Sequence, residues 1–262
     1  MTEQPNNLAE ILTLERLDTR LFRSTFLFEE RFPIFGGQVA AQALIAAGRT
    51  VSEGRSPHSI HIYFLRGGNP NKAVIYSVEV DFDGGSFSSR RVVARQDGDV
   101  IFNASVSFHT GNPGPDHQQI QPHEIGPVED TFEWSGRRLQ SIEMRGPFHP
   151  DGDERWPQYF YARVTADLGD DPLLHAAGLT YLTDGGTGFT DLRSAQLGFL
   201  SSIDHVVWIH RIPDISQWHL FNFDPHRTGG GRGLFSGSVF DTDGYLEASF
   251  AQECLFRYQK KS

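Results

Sequence analysis

Two polar side chains in the second half of the sequence fall among apolar strand neighbours. In "SSIDHVVWIHR" (201–211), Asp204 has the parity of Val206 and Trp208, so the three side chains point to one face of a strand. In "YLEASFAQECLF", Gln252 shares its parity with leucine, alanine, phenylalanine and cysteine residues. Burying a carboxylate or amide among apolar neighbours costs free energy unless the group is hydrogen-bonded, and such a group can also take part in binding or catalysis. The pair could hold a water molecule and deprotonate it, with Asp204 as general base; a structural hydrogen bond inside the sheet is the alternative.

Two glycine-rich segments offer further polar groups. In "FDPHRTGGGRG" (223–233), His226 and Thr228 precede three glycines, which allow a ligand to approach the backbone closely. A flexible hairpin loop is the alternative. In "FGGQ" (35–38), a helix starts at paired glycines, so free backbone N–H groups near Gly37 could hold a phosphate or a developing oxyanion.

The composition excludes several classes of protein. The net charge of −10 argues against a basic nucleic-acid-binding surface. The single cysteine, Cys254, excludes an intrachain disulfide, and its apolar strand face favours packing over nucleophilic chemistry. The histidines show no zinc-binding spacing, so a zinc site is not expected. No signal peptide and no membrane-spanning run is recognisable, which predicts a cytoplasmic protein.

Hydrophobic periodicity predicts a helix followed by an antiparallel sheet in each half of the chain. Helices are predicted for "LAEILTLERLDTRLF" and for residues 35–51. A third is predicted at 171–184, where Asp171 is suited to the N-cap and Pro172 to the first helical position. Residues 110–157 are dense in Gly, Pro and polar side chains and are predicted to form a connector. Strands are predicted at 58–65, 73–82, on both sides of the turn Gln96-Asp97-Gly98, and at 159–164, 201–211, 218–224, 232–240 and 245–257.

The two halves resemble each other, which indicates a duplicated helix-plus-sheet unit. Aligning "HSIHIYFL" with "SSIDHVVWIH" places His61 opposite Asp204, and aligning the two Ala-Ser pairs places Phe108 opposite Gln252. Only the second unit therefore carries the acid and the amide.

Six segments resemble the acyl-CoA thioesterase II family, in the family's order from Phe35 to Arg257. They are "FGGQVAAQALIAAGRTV", "HSIHIYFLRGGNP", "GGSFSSRRVVARQDG", "YLTD", "SSIDHVVWIHR" and "DTDGYLEASFAQECLFR". The resemblance implies an α+β double hotdog fold, in which two long helices are each wrapped by an antiparallel sheet. It implies an N-terminal hotdog over 1–110, a connector over 111–157, and a C-terminal hotdog over 158–262 that carries the catalytic residues.

The resemblance also implies hydrolysis of fatty acyl-CoA to free acid and CoA, without a metal or organic cofactor. We expect medium to long acyl chains as substrates. Asp204 matches the family's acid and Gln252 its glutamine. For the family's hydroxyl residue, Thr228 is favoured, although the alignment to the following Arg-Gly places His226 at that position.

Three arginines are candidates for binding the CoA phosphates. Arg66, Arg90 or Arg91 could contact the phosphates, or form surface salt bridges instead.

The family resemblance favours a homodimer or homotetramer. Two other functions stay open: a catalytically weak acyl-CoA-binding double hotdog protein, and a hotdog enoyl-CoA hydratase, whose usual Asp/His pair is not evident.

Overall fold

The computed structural model describes residues 7–27, 32–134, 139–147, 157–186 and 197–258. Its helices are α1 (Leu8–Leu12), α2 (Gly36–Gly48) and α3 (Pro172–Thr183), with a 3-10 turn at Val128–Asp130. Its strands are β1 (Leu14–Asp18), β2 (Leu21–Ser24), β3 (Ser56–Phe64), β4 (Ile75–Asp83), β5 (Phe87–Gln96), β6 (Asp99–His109), β7 (Phe132–Trp134), β8 (Ile142–Gly146), β9 (Tyr159–Val164), β10 (Leu197–Ile209), β11 (His219–Gly229), β12 (Arg232–Phe240) and β13 (Leu246–Tyr258).

All these strands form one antiparallel sheet, in the order β1-β2-β4-β5-β6-β3-β10-β13-β12-β11-β9-β8-β7. The strand order repeats on the two sides of the central β3–β10 pair. It is β3-β6-β5-β4 outward from β3 and β10-β13-β12-β11 outward from β10. Each set follows a long helix, α2 or α3, in the chain. The two halves of the sequence therefore fold into the same helix-and-sheet arrangement, joined where β3 pairs with β10.

Helices α2 and α3 pack against each other and against the sheet. Every residue of α2 from Gly37 to Ala47 is buried, which explains its small, apolar composition. One of its polar residues, Gln42, is satisfied on both sides: its amide donates to the Ile11 carbonyl and accepts from the Tyr76 hydroxyl. Among the described residues, no helix is long and apolar enough to cross a membrane.

The start of α3 and the β5–β6 hairpin are as the local sequence predicted. The side chain of Asp171 accepts a hydrogen bond from the Leu173 N–H at 3.0 Å, and Pro172 is the first helical residue, as predicted. Between β5 and β6, Asp97 and Gly98 have φ angles of 51° and 90°. These positive values fit the two-residue hairpin predicted at this turn.

The N-terminal segment differs from the prediction. The helix ends at Leu12, and the rest of "LAEILTLERLDTRLF" forms most of the β1–β2 hairpin instead. Strand β2 pairs with β4 at the edge of the sheet. This long-range pairing overrides the helical spacing of the segment, because tertiary context outweighs intrinsic propensity.

The connector contains structure that its composition did not indicate. Strands β7 and β8 pair with each other, and β8 also pairs with β9, so they extend the sheet at its second edge. The predicted division at 1–110, 111–157 and 158–262 stays a prediction.

Candidate active site

Gln252 lies at the centre of a polar cluster inside the second half. It is 2% exposed, on the core-facing row of β13 with Phe250 and Cys254. Its side-chain amide donates to Asp184 Oδ1 at 2.8 Å and to Ser202 Oγ at 2.5 Å. Within the described part of the chain, its carbonyl oxygen Oε1 is buried without a hydrogen-bond partner. A buried acceptor of this kind calls for a ligand or a water molecule.

A β-bulge determines where Asp204 lies. The register skips Ile203, so Ser202 pairs with Cys254, whereas Asp204 pairs with Glu253. The next pair joins Gln252 to the buried His205, and cross-strand partners share a face.

The sequence interpretation placed the acid and the amide on the same inward face, and the structure corrects this. His205, not Asp204, shares the inward row of Gln252. Asp204 shares a face with Val206 and Trp208, as its parity predicted, but Trp208 is 39% exposed. Oδ1 of Asp204 accepts the backbone N–H of Glu253 at 3.0 Å.

Cys254 lies beside Gln252 on the inward row of β13, within reach of the charges of Asp184 and Asp204. Burial raises the pKa of the Cys254 thiol to about 12, with smaller contributions from the negative charges of Asp184 and Asp204. Cys254 is 1% exposed and belongs to the hydrophobic core, as predicted for a residue that packs. We call Asp184, Ser202, Asp204, Gln252 and Cys254 the acid–amide cluster.

The N-terminus of α2 lies beside this cluster. A Cβ atom at Gly36 would lie 2.7 Å from Asp184 Oδ2, and one at Gly37 would lie 2.5 Å from the Tyr181 carbonyl oxygen. The paired glycines therefore allow α2 to begin directly against the end of α3. Phe35 supplies no side-chain cap, so the N–H groups of the first turn of α2 can serve as hydrogen-bond donors.

Thr228 and His226 lie on β11, and β12 lies between that strand and β13. The register pairs Thr228 with Gly233 of β12, which in turn pairs with Cys254 of β13. Thr228 is exposed, and its hydroxyl makes no hydrogen bond to the described residues. His226 is also exposed, and its Nε2 contacts Ser236 Oγ at 2.8 Å. The assignment of Thr228 or His226 to the hydroxyl position of an Asp204–Gln252 site stays a prediction.

Thr228→Ala should leave kcat for thioester hydrolysis within about threefold of wild type, because the exposed hydroxyl makes no hydrogen bond to the described residues. Steady-state thiol release checks this, with Thr13→Ala as a matched removal of an exposed hydroxyl elsewhere. A loss of more than about tenfold for Thr228→Ala alone would show that the β11–β12 hairpin takes part in catalysis.

Arg90 is unsuitable for contacting CoA phosphates, which corrects one expectation. It is 2% exposed, and its guanidinium binds Thr50, the carbonyls of Phe82 and Ser89, and the Asp83 carboxylate at 2.9 Å.

The other two arginines are at the surface. Arg91 pairs with Glu79 at 2.7 Å and Asp81 at 3.1 Å, which matches the salt-bridge alternative. Arg66 is exposed and donates to the Val100 carbonyl.

His205 is a neutral histidine beside Gln252. Its Nε2 lies 2.9 Å from Thr183 Oγ1. Because the Thr183 hydroxyl donates to the Thr180 carbonyl, His205 Nε2 is the donor in this pair. Burial lowers the pKa of His205 to about 3.

Lowering the pH from 7 to 5 should reduce the free energy of unfolding by on the order of 2 kcal/mol through His205. The folded-state pKa lies below the ordinary value, so the unfolded chain binds the proton first. His205 therefore leaves the free energy of unfolding unchanged above about pH 6.5 and lowers it as the pH falls from 6.5 toward 3. Urea unfolding of wild type and His205→Gln at several pH values measures this, with exposed His226→Gln as control. An unchanged pH dependence in His205→Gln would contradict it.

Comparison with known proteins places this chain in a known family. Residues 29–109 match the acyl-CoA thioesterase N-terminal domain, and residues 108–256 match the acyl-CoA thioesterase C-terminal domain. The chain is 31% identical to acyl-CoA thioesterase 2 of Haemophilus influenzae, over 99% of this chain and 100% of that protein. The chain belongs to the acyl-CoA thioesterase family. It is accordingly a thioester hydrolase.

Solved structures support the same conclusion for this acyl-CoA thioesterase. An acyl-CoA thioesterase II from Mycobacterium marinum is 34% identical and superimposes with a TM-score of 0.83, covering 97% of this chain and 99% of that one. A protein with a hotdog fold from Alicyclobacillus acidocaldarius, 18% identical, has a TM-score of 0.80 and covers 95% of this chain and 97% of its own. The fold is therefore of the hotdog type.

Two members of the acid–amide cluster were missed by the residue-level sequence analysis of this thioesterase. Asp184 was considered only as the end of a predicted helix, and Ser202 only as a repeat marker. Neither local pattern signals a contact with Gln252, which lies 68 residues from Asp184 and 50 from Ser202. The described residues contain no group of three or more side chains that could hold a metal ion.

Proposed function

We propose that this thioesterase hydrolyses medium- to long-chain fatty acyl-CoA to free acid and CoA, with Asp204 as general base and Gln252 as the residue that holds the attacking water. The supporting observation is the buried Oε1 of Gln252, which has no hydrogen-bond partner among the described residues, while the amide nitrogen of the same side chain donates to the Asp184 carboxylate. The Haemophilus influenzae and Mycobacterium marinum relatives are both named acyl-CoA thioesterases. Family membership thus supplies the reaction class, and the cluster supplies candidate residues.

The proposed reaction adds water across the thioester. The water oxygen attacks the carbonyl carbon while the Asp204 carboxylate accepts a water proton. The tetrahedral oxyanion is stabilised by N–H groups of the first turn of α2, near Gly37. Its collapse breaks the C–S bond, and the CoA sulfur leaves with the proton that Asp204 accepted. The products are a carboxylic acid and a free thiol, and the enzyme is returned to its starting state.

The acyl chain is proposed to lie along the apolar side chains next to the cluster. Phe223, Phe235 and Phe250 are buried and contact one another, with the Phe223 and Phe250 ring centroids 4.9 Å apart. This aromatic group begins two residues from Gln252 on β13. Arg66 is the remaining proposed contact for a CoA phosphate.

We further propose a double hotdog architecture, a homodimer or homotetramer, and a cytoplasmic location. The repeated strand order on either side of β3 and β10 supports the double hotdog. Exposed apolar residues along the central strands, Tyr63, Trp208 and Leu234, support self-association. Light scattering on the purified protein tests the oligomeric state, and a monomer at every concentration would contradict it.

Steady-state release of free thiol from acyl-CoAs of increasing chain length tests the function. We expect turnover to be greatest for medium to long chains and to fall in the Asp204→Asn variant. No thiol release above buffer, with tight acyl-CoA binding retained, would identify the weak binding protein instead. Loss of enoyl-CoA absorbance without free thiol would identify a hydratase.

A further inference from the structure

Three arginines form a row across neighbouring strands at the β11–β12 hairpin. Arg227 lies on β11, Arg232 on β12 and Arg257 on β13, and the strand register places Arg232 diagonally between the other two. Diagonal neighbours of this kind are about 7–8 Å apart, within reach of long side chains. All three arginines are exposed, on a chain whose net charge is −10. We call these three residues the arginine row.

The charge of the arginine row is compensated at its centre but not at its ends. Arg232 Nε binds Glu253 Oε1 at 3.0 Å. Across the described ranges of the chain, neither Arg227 nor Arg257 pairs with a carboxylate, and Arg257 donates to the Phe256 carbonyl at 3.0 Å. Two exposed guanidinium groups therefore carry uncompensated positive charge. Each presents a planar fork of donors that fits a phosphate.

The glycines of the hairpin allow both guanidinium groups to lie over its tip. A Cβ atom at Gly229 would lie 3.7 Å from Arg227 Nε, and one at Gly231 would lie 2.8 Å from Arg257 Nη1. Between them, Gly230 and Gly231 have φ angles of 59° and 75°, as a two-residue hairpin turn requires. Because these positions have no side chains, the two guanidinium groups approach one short segment from opposite strands.

The arginine row lies at the same end of the sheet as the acid–amide cluster. Gly233, two residues after the tip, pairs with Cys254, which in turn pairs with Ser202. Along β13, Arg257 is five residues beyond Gln252, which corresponds to about 17 Å of extended strand. The extended pantetheine arm of CoA spans a distance of this order between its sulfur and its diphosphate.

We propose that Arg227 and Arg257 bind the phosphates at the nucleotide end of CoA, and that the Arg232–Glu253 pair keeps the row in place between them. This assignment rests on the proposed function and refines it, because it names contacts for the part of the substrate that does not react. Such a remote contact binds the substrate and the transition state equally, so it lowers KM and leaves kcat unchanged. It adds to the contact proposed for Arg66.

Steady-state kinetics on the full chain test the proposal with two substrates that carry the same acyl group. With acyl-CoA, the double variant Arg227→Ala/Arg257→Ala should raise KM about 10- to 50-fold and keep kcat within about threefold. With acyl-pantetheine, which lacks the nucleotide, the KM of the variant and of wild type should agree within about twofold. The matched control is Arg16→Ala, an exposed arginine of β1 that donates to backbone carbonyls. It should leave both KM values within about twofold of wild type.

A binding measurement tests the same site without turnover. Adenosine 3′,5′-bisphosphate carries two of the CoA phosphates and no thioester. Calorimetric titration of wild type should show saturable binding that weakens as the salt concentration rises, because exposed charges are screened. The affinity should fall at least about tenfold in the double variant and stay unchanged in Arg16→Ala.

The outcomes separate the nucleotide site from the proposed function. An equal rise in KM for acyl-CoA and acyl-pantetheine would overturn the nucleotide site, because the effect would not depend on the phosphates. An unchanged KM, together with phosphatidylglycerol vesicles that bind wild type but not the double variant, would assign the row to a membrane surface and overturn it as well. A wild-type protein that releases no thiol but binds the bisphosphate through both arginines would overturn the proposed function alone.

Discussion

Asp204→Asn should lower kcat for acyl-CoA hydrolysis by about 10²- to 10⁴-fold, the range that a general base contributes. Asparagine cannot accept the proton of the attacking water. It does keep an oxygen that can accept the Glu253 N–H now bound to Asp204 Oδ1 at 3.0 Å, so the bulge should survive. The measurement is thiol release under saturating substrate, with KM expected to change little.

The control for Asp204 is Asp243→Asn, which removes the same charge from an exposed position. It should leave kcat within about twofold of wild type. If Asp204→Asn retained more than about a tenth of wild-type kcat, the proton would be taken by another group, and Asp204 would be a structural residue of the bulge.

Gly237→Ala should reduce the free energy of unfolding by about 2–4 kcal/mol, a large effect for one methyl group. Gly237 lies on β12 between Phe223 of β11 and Phe250 of β13. An alanine Cβ would lie 2.1 Å from Phe250 Cζ and 2.4 Å from the Asn222 carbonyl oxygen. The backbone oxygen cannot move without breaking the sheet, and the buried ring has no free space. Urea unfolding measures the change. The denaturation midpoint should fall, while the slope of the unfolding free energy against urea concentration stays constant.

Gly85→Ala is the matched substitution for Gly237. No atom lies within 4 Å of a Cβ at position 85, and its φ is not positive. Its effect should stay within about 0.5 kcal/mol. A Gly237→Ala protein with the wild-type midpoint would show that the packing of β11, β12 and β13 around Phe250 is loose.

The buried Arg90 shows where sequence interpretation failed. Arg90 had a suitable residue type for contacting a phosphate. Its surroundings depended on neighbours such as Thr50, 40 residues distant along the chain. Residue type and local spacing do not specify such neighbours.

The sequence by itself determined the features that depend on neighbours along the chain. The cap at Asp171, the turn at Asp97 and Gly98, and the inward face of Gln252 follow from local dihedral preferences and strand alternation. The duplicated order of helix and strands was recognisable for the same reason, because each unit repeats the same periodicities.

Only the tertiary structure decided which groups surround Gln252. A single-residue bulge at Ile203 moved Asp204 off the inward row, and alternation has no means to anticipate an unpaired residue. The packing of α2 against α3 brought Asp184 to the amide, across 68 residues of chain. The chemistry of the site therefore depends on side chains that meet only when the sheet and both helices are assembled.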